Sequence, residues 1–243
     1  MGYDLAKHIR WGLERFLRPA LRPCLGEIVE WGGVQTTDRY EFLASLGIPE
    51  GAARSYDTEL ETALKQNPYV RVEGLPFSGR WAVARGAASV LYAIARSRRP
   101  TYVLETGVAN GFSSYAILSA LAANEVEHPG DGGFLTSFDP APDTGRLVPV
   151  ELRKGRWDLV RGVFDTPSRF DLFFHDSLHT YANMLREYWL AWPGLPDGGL
   201  LLSDDVESNF AFIDFARSVR VRPATLVSAR SVFGVLVKPA GGR

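Results

Sequence analysis

The run Glu105-Thr-Gly107-Val-Ala-Asn-Gly111-Phe-Ser113 stands between a short apolar stretch and a helix-like one. Two glycines at that point let the backbone pass close to a ligand, and a helix N-terminus offers unpaired N–H groups. The spacing is not the G-x-G-x-x-G of a dinucleotide turn, and no Gly-Lys-Ser/Thr follows as in a phosphate-binding loop. A second carboxylate, Asp139, ends the apolar run Phe134–Phe138, where it could accept hydrogen bonds from two ribose hydroxyls. A third group is Asp176-Ser-Leu-His179-Thr-Tyr181, answered downstream by Gly198-Gly-Leu-Leu-Leu-Ser-Asp204-Asp205. Both pieces put carboxylates just past the ends of apolar runs. Three such charges in one place repel unless a cation lies between them, and all-oxygen donors favour a hard ion such as Mg²⁺. His179 has the ordinary pKa of a group that can take a proton from a hydroxyl near neutrality. His175 alternates with Asp176 in strand geometry, so their side chains are expected on opposite faces. Asn209 is read as a helix cap, with orientation of a substrate as the other reading.

The pattern E-x-G-x-x-x-G resembles motif I of class I S-adenosylmethionine-dependent methyltransferases. The resemblance implies that Glu105 holds the amino-acid end of the cofactor, often through water, and that Gly107, Gly111 and Ser113 border its sugar and methionine part. It also implies Asp139 at the ribose, Gly162, Val163 and Phe164 at the adenine, and Asp176 beside the cofactor. D-x-x-H-x-Y followed by G-G-x-x-x-x-D-D is similar to the metal-dependent O-methyltransferase branch that includes macrolide and aminocoumarin sugar methyltransferases. That likeness spans roughly Trp81 to Pro239 and implies Asp176, Asp204 and Asp205 as metal ligands and His179 as the base. Many relatives read D-G-D at the first site. Here Leu178 replaces the second acid, so the base role rests on His179. The implied reaction is methyl transfer to a small-molecule hydroxyl of sugar or natural-product type, with S-adenosylmethionine and Mg²⁺ as cofactors. Two rivals stay open. Cephalosporin-hydroxylase-like proteins also resemble this branch, but an iron site would need His175 and His179 on one side. A non-catalytic cofactor-binding protein would keep Glu105 and Asp139 without turnover.

These residues need a scaffold that brings distant strand ends together. Apolar runs at Tyr102–Glu105, Phe134–Phe138, Leu159–Val163, Asp171–His175 and Leu200–Ser203 alternate with helical stretches at Val83–Arg96, Ser113–Ala123 and Tyr181–Trp192. Such alternation predicts a Rossmann-like α/β fold with a mostly parallel sheet. Ala224–Ser228 and Ser231–Val237 are separated by two residues, too few for a crossover, so they predict a closing antiparallel hairpin. Residues 1–80 read as a helical N-terminal cap and 81–243 as the cofactor-binding domain. In the cap, Asp4–Leu17 has helical apolar spacing and Asp57–Gln66 forms a second helix. Asn67–Gly79 reads as a hinge or substrate-proximal loop. Tyr188, Trp189 and Trp192 are spaced for the buried face of their helix.

Composition narrows the class further. Of 243 residues, 46% are hydrophobic and 23% charged, as in globular proteins, and the net charge of −1 gives no electrostatic case for nucleic acid. A single cysteine, Cys24, excludes an internal disulfide and suggests a reducing cytoplasm. No apolar run reaches membrane-spanning length, and the first residues lack the apolar centre of a secretion signal. The basic helix Asp4–Leu17 could lie on a membrane surface, but packing on its own domain or forming a homo-oligomer contact is the favoured reading.

Overall fold

A computed structural model describes residues 32–68, 74–78, 82–165 and 169–241. The expected helix Asp4–Leu17, Cys24 and part of the Asn67–Gly79 loop lie outside the described residues. The strands are β1 (Val34–Thr36), β2 (Tyr102–Thr106), β3 (Phe134–Phe138), β4 (Trp157–Val160), β5 (Leu172–His175), β6 (Leu200–Ser203), β7 (Ala224–Val227) and β8 (Val232–Val237). They form one sheet in the order β1-β7-β8-β6-β5-β2-β3-β4. β4, β3, β2, β5 and β6 run parallel, while β8 pairs antiparallel with both β6 and β7. The parallel sheet and its closing hairpin are therefore as the sequence predicts.

Strands covered on both faces must be apolar on both. Leu172-Phe173-Phe174 and Leu200-Leu201-Leu202 meet that demand, and every one of these side chains is buried. Helices α1 (Arg39–Ser45), α2 (Glu50–Gln66), α3 (Arg85–Arg98) and α4 (Phe112–Glu127) contribute to one core with Leu172, Phe174, Leu200 and Leu202. After the single turn α5 (Val150–Arg153), α6 (Tyr181–Ala191) and α7 (Ala211–Ser218) pack on the opposite face with Phe173 and Leu201.

Four features differ from expectation, each for a physical reason. α2 begins at Glu50 rather than Asp57, because Ala53, Leu60 and Leu64 form a stripe buried by tertiary packing. Three residues of the N-terminal segment, β1, join the sheet beside β7, a pairing across almost the whole chain that no local pattern announces. β4 is shifted toward Trp157, whose register opposite Leu135 places Gly162 and Val163 beyond the strand end. Tyr188 on α6 and Trp192 just past its end are buried, but Trp189, one helical step round from Tyr188, is half exposed.

The register determines where chemistry can occur. Thr106 pairs with Phe138 and His175, and His175 pairs with Ser203. The next residue on each strand is therefore Gly107, Asp139, Asp176 and Asp204 in one row. Ladder bonds continue past the strand ends, from Gly107 N to Phe138 O (2.9 Å), Asp176 N to Thr106 O (2.8 Å) and Asp204 N to His175 O (3.1 Å). Ligands of open α/β sheets bind along this carboxyl edge.

Candidate active site

A cavity of about 650 Å³ opens over that row. Gly107, Val108, Ala109 and Asp139 line one side, and Asp176, His179, Asp204 and Asp205 line another. Phe77, Ala82, Ala84 and Leu178 add apolar wall, and Arg230 and Ser231 come from the hairpin turn.

The glycine turn is fixed by two buried carboxylates. Gly107 (φ 83°) and Gly111 (φ 89°) both adopt the left-handed region. A Cβ on Gly107 would run into the Asp176 carbonyl, so this glycine lets two strand-end loops touch. Glu105 lies beneath the turn and is fully buried. Its oxygens accept hydrogen bonds from Ser113 Oγ (2.5 Å), Ser114 Oγ (2.6 Å) and Ser137 Oγ (2.6 Å). Burial raises its pKa, and the three serine hydroxyls oppose that shift. Glu105 and Ser113 are not among the cavity-lining groups; they hold the turn from below. Asp139 does line the cavity, while its Oδ2 accepts from Val108 N (2.9 Å) and Ala109 N (3.0 Å) and its Oδ1 from Ala141 N (2.8 Å). Asn110 pins the Phe77 backbone in both directions, donating from Nδ2 to the carbonyl (2.8 Å) and accepting from N–H at Oδ1 (3.2 Å). One apolar wall is thus tied to the turn itself, a link that sequence reading missed.

The acidic side is more crowded. Burial, then the charges of Asp204 and Asp205, push the Asp176 carboxyl well above its ordinary range. Asp204, 5% exposed, is raised by burial and by Asp205, and its Oδ1 accepts from Ser231 Oγ at 3.0 Å. Asp205 adopts φ 51°, a left-handed conformation in which Asp is among the better tolerated residues. His179 sits between the carboxylates, with Nε2 3.7 Å from Asp176 Oδ1 and Nδ1 3.9 Å from Asp205 Oδ2. Asn209 stands one residue before the N-cap of α7, Phe210, where its Oδ1 accepts from Ala211 N (2.8 Å) and its Nδ2 donates to the His179 carbonyl (3.3 Å). The side chain thereby steadies the backbone at His179. Among the described residues, no three His, Cys, Asp or Glu side chains converge closely enough to form a metal cage.

The remaining predicted residues fall elsewhere. Phe164 is 1% exposed and packs on Phe138 and Phe173 with ring centroids 5.5 and 5.8 Å apart. Gly162 and Val163 do not line the cavity either. The shift of β4 toward Trp157 carries all three past the site.

Residues 104–206 match a family model described as a methyltransferase domain. The matched stretch holds Glu105, Gly107, Asp139, Asp176, His179 and Asp204. An O-methyltransferase from Bacillus cereus, solved in complex with SAH, is 14% identical, with 74% of this chain and 91% of that chain covered and a TM-score of 0.50. The O-methyltransferase TomG from Streptomyces achromogenes, involved in tomaymycin synthesis and solved in complex with SAM, is 16% identical. There 74% of this chain and 89% of that one are covered, at a TM-score of 0.51. Both likenesses are of fold. No curated protein sequence matches the chain. Among the described residues, no helix is long and apolar enough to cross a membrane.

The two neighbouring histidines of the site differ sharply. His179 lines the cavity, while His175 is fully buried beneath it, their rings edge-on with centroids 5.3 Å apart. Burial pushes the His175 pKa down to about 3, from the ordinary imidazole value of about 6.5. The unfolded chain therefore takes up a proton at this residue as pH falls below 6.5, while the folded chain does not. Stability is lost on acidification, by roughly 2 kcal/mol at pH 5 from this residue. Asp176, Asp204 and Glu105 act in the opposite sense, since raised folded-state values cost stability as pH rises. The difference between His175→Gln and the native chain isolates the histidine. Urea unfolding at pH 7 and pH 5 should show less loss on acidification in the variant, and equal losses would contradict the assignment.

Proposed function

We propose that this methyltransferase moves the methyl group of S-adenosylmethionine to a hydroxyl oxygen of a small-molecule acceptor, with Mg²⁺ assisting. The observation that carries this reading is the single row of Gly107, Asp139, Asp176 and Asp204, with His179 beside it, along one cavity. The cofactor supplies a methyl group already made electrophilic by its sulfonium. The protein's work is alignment, exclusion of water and proton removal.

The residues suit these tasks. The glycine turn presents backbone where a side chain would obstruct, and Asp139 faces the same space with one lone-pair site of Oδ1 left for a ribose hydroxyl. Asp176, Asp204 and Asp205 are the groups that would hold Mg²⁺, which would lower the pKa of an acceptor oxygen. Mg²⁺ commonly takes only one or two carboxylates and completes its shell with water and substrate, so a closed protein cage is not required. Relief of the mutual repulsion that raises Asp176 and Asp204 favours a cation there. His179 would accept the acceptor's hydroxyl proton, and the carboxylates on both sides of its ring would stabilise the resulting positive charge. The apolar wall of Phe77, Ala82 and Ala84 suits an acceptor with an apolar face.

The test is thermal stability after chelation, with S-adenosylhomocysteine alone and with Mg²⁺ added. Ligand at about 100 times its dissociation constant should add roughly 2.7 kcal/mol, a rise of several degrees. A further rise with Mg²⁺ supports the cation. No shift with the nucleoside would undo the reading of the glycine turn. Asp204→Asn should weaken Mg²⁺ binding by about tenfold or more in calorimetry on the S-adenosylhomocysteine complex; unchanged binding would remove Asp204 from the ligand set.

A further inference from the structure

We infer that Glu187 is a positioning residue for this site, holding the loop from Asp176 to Thr180, and with it Asp176 and His179, from behind the sheet edge. The inference rests on the methyl-transfer reading above for its functional consequence, but its geometry stands independently. Glu187 lies on α6, 3% exposed, and is not a cavity-lining residue. A buried carboxylate is costly unless donors converge on it. They do. Oε2 accepts from Thr106 Oγ1 at 2.6 Å, and both oxygens accept from Ser177 Oγ at 3.0 Å. Oε1 also accepts from Asn183 Nδ2 at 3.2 Å and from the Arg186 guanidinium at 3.3 Å.

The donors map onto the parts that must stay in register. Thr106 ends β2, one residue before Gly107. Ser177 follows Asp176 directly. Asn183 Nδ2 also reaches Ser177 Oγ and the Leu178 carbonyl, each at 3.0 Å, and Thr180 caps α6 through Asn183 N at 3.3 Å. The five-residue loop is thus tied to α6 at Ser177, Leu178 and Thr180, and through Glu187 to the strand carrying the glycine turn. His175 Nε2 lies 3.6 Å from Glu187 Oε2, and the His175 ring meets the His179 ring edge-on. An apolar residue at 187 could fill the volume, but it could not hold Ser177 and Thr106 together.

The test uses amide hydrogen exchange on the full chain, with S-adenosylhomocysteine and Mg²⁺ affinities measured alongside. In Glu187→Ala, exchange across 176–183 should rise by about tenfold or more, while peptides covering 107–121 keep their protection. Mg²⁺ affinity of the S-adenosylhomocysteine complex should fall with it, and nucleoside affinity should change little. Glu187→Gln, which keeps the shape and one acceptor oxygen, should restore most of the protection. Unchanged exchange at 176–183 in the alanine variant overturns the inference. So does a uniform rise over the whole sheet, which would make Glu187 a general stabiliser. If the native chain fails to bind S-adenosylhomocysteine, the methyl-transfer reading falls, while the exchange data still decide whether Glu187 holds the loop.

Discussion

His179→Ala is expected to lower methyl transfer by about two to four orders of magnitude and to leave S-adenosylhomocysteine affinity nearly unchanged. The split follows from geometry. The glycine turn and Asp139 line one part of the cavity, and His179 lies among Asp176, Asp204 and Asp205 in another. A hydroxyl is a weak nucleophile while it keeps its proton, so losing the proton acceptor slows the chemical step without loosening the nucleoside. The imidazole has carboxylate oxygens within 4 Å of each ring nitrogen, an arrangement that stabilises the ring once it is protonated. Single-turnover methyl transfer and calorimetric titration with S-adenosylhomocysteine, run on the same preparations, check the two halves. Equal turnover would remove His179 from the base role. A parallel collapse of nucleoside binding would show that it serves the cofactor instead.

Gly107→Ala should give the second large effect, this time on folding and cofactor binding together. An alanine at φ 83° occupies a conformation that L residues rarely adopt, which costs about 1–2 kcal/mol. Its Cβ would also meet the Asp176 carbonyl, a backbone atom that cannot rotate away. With a total near 3 kcal/mol, the melting point should drop by roughly 6 to 12 °C. Separation of the two loops would widen the cavity proposed for the nucleoside, and S-adenosylhomocysteine affinity should fall by about tenfold or more. Gly162→Ala is the control. A Cβ there meets nothing within 4 Å, and Gly162 is not a cavity-lining residue, so both measurements should match the native chain. Equal behaviour of the two variants would mean that the close contact between Gly107 and Asp176 has no part in the site.

The sequence by itself determined the parallel sheet, its antiparallel closure and the residues that meet along its edge. These follow from local rules. Apolar runs of strand length alternate with helical spacing, and the four residues between Val227 and Val232 cannot carry a crossover. In a parallel sheet the residue after each strand falls on one edge, so Gly107, Asp139, Asp176 and Asp204 could be collected before any coordinates existed. Side-chain alternation likewise put His175 and Asp176 on different faces, one beneath the cavity and the other beside it.

What tertiary structure alone decided depends on contacts between segments far apart in the chain. β1 is three residues long and has meaning only beside β7. The register of β4 is set by pairing with β3, and it moves Phe164 from a presumed cofactor contact into the core. Glu105 stands out by its place in the motif, but that Ser113, Ser114 and Ser137 converge on it from α4 and β3 is decided by packing. Glu187 carries no motif and reads as one polar residue in an amphipathic helix. Its four donors come from β2, the Asp176–Thr180 loop and α6 itself, and only folding brings the first two to it. Periodicity reports which face of an element is buried, but the partners of a buried polar atom are fixed by three-dimensional packing.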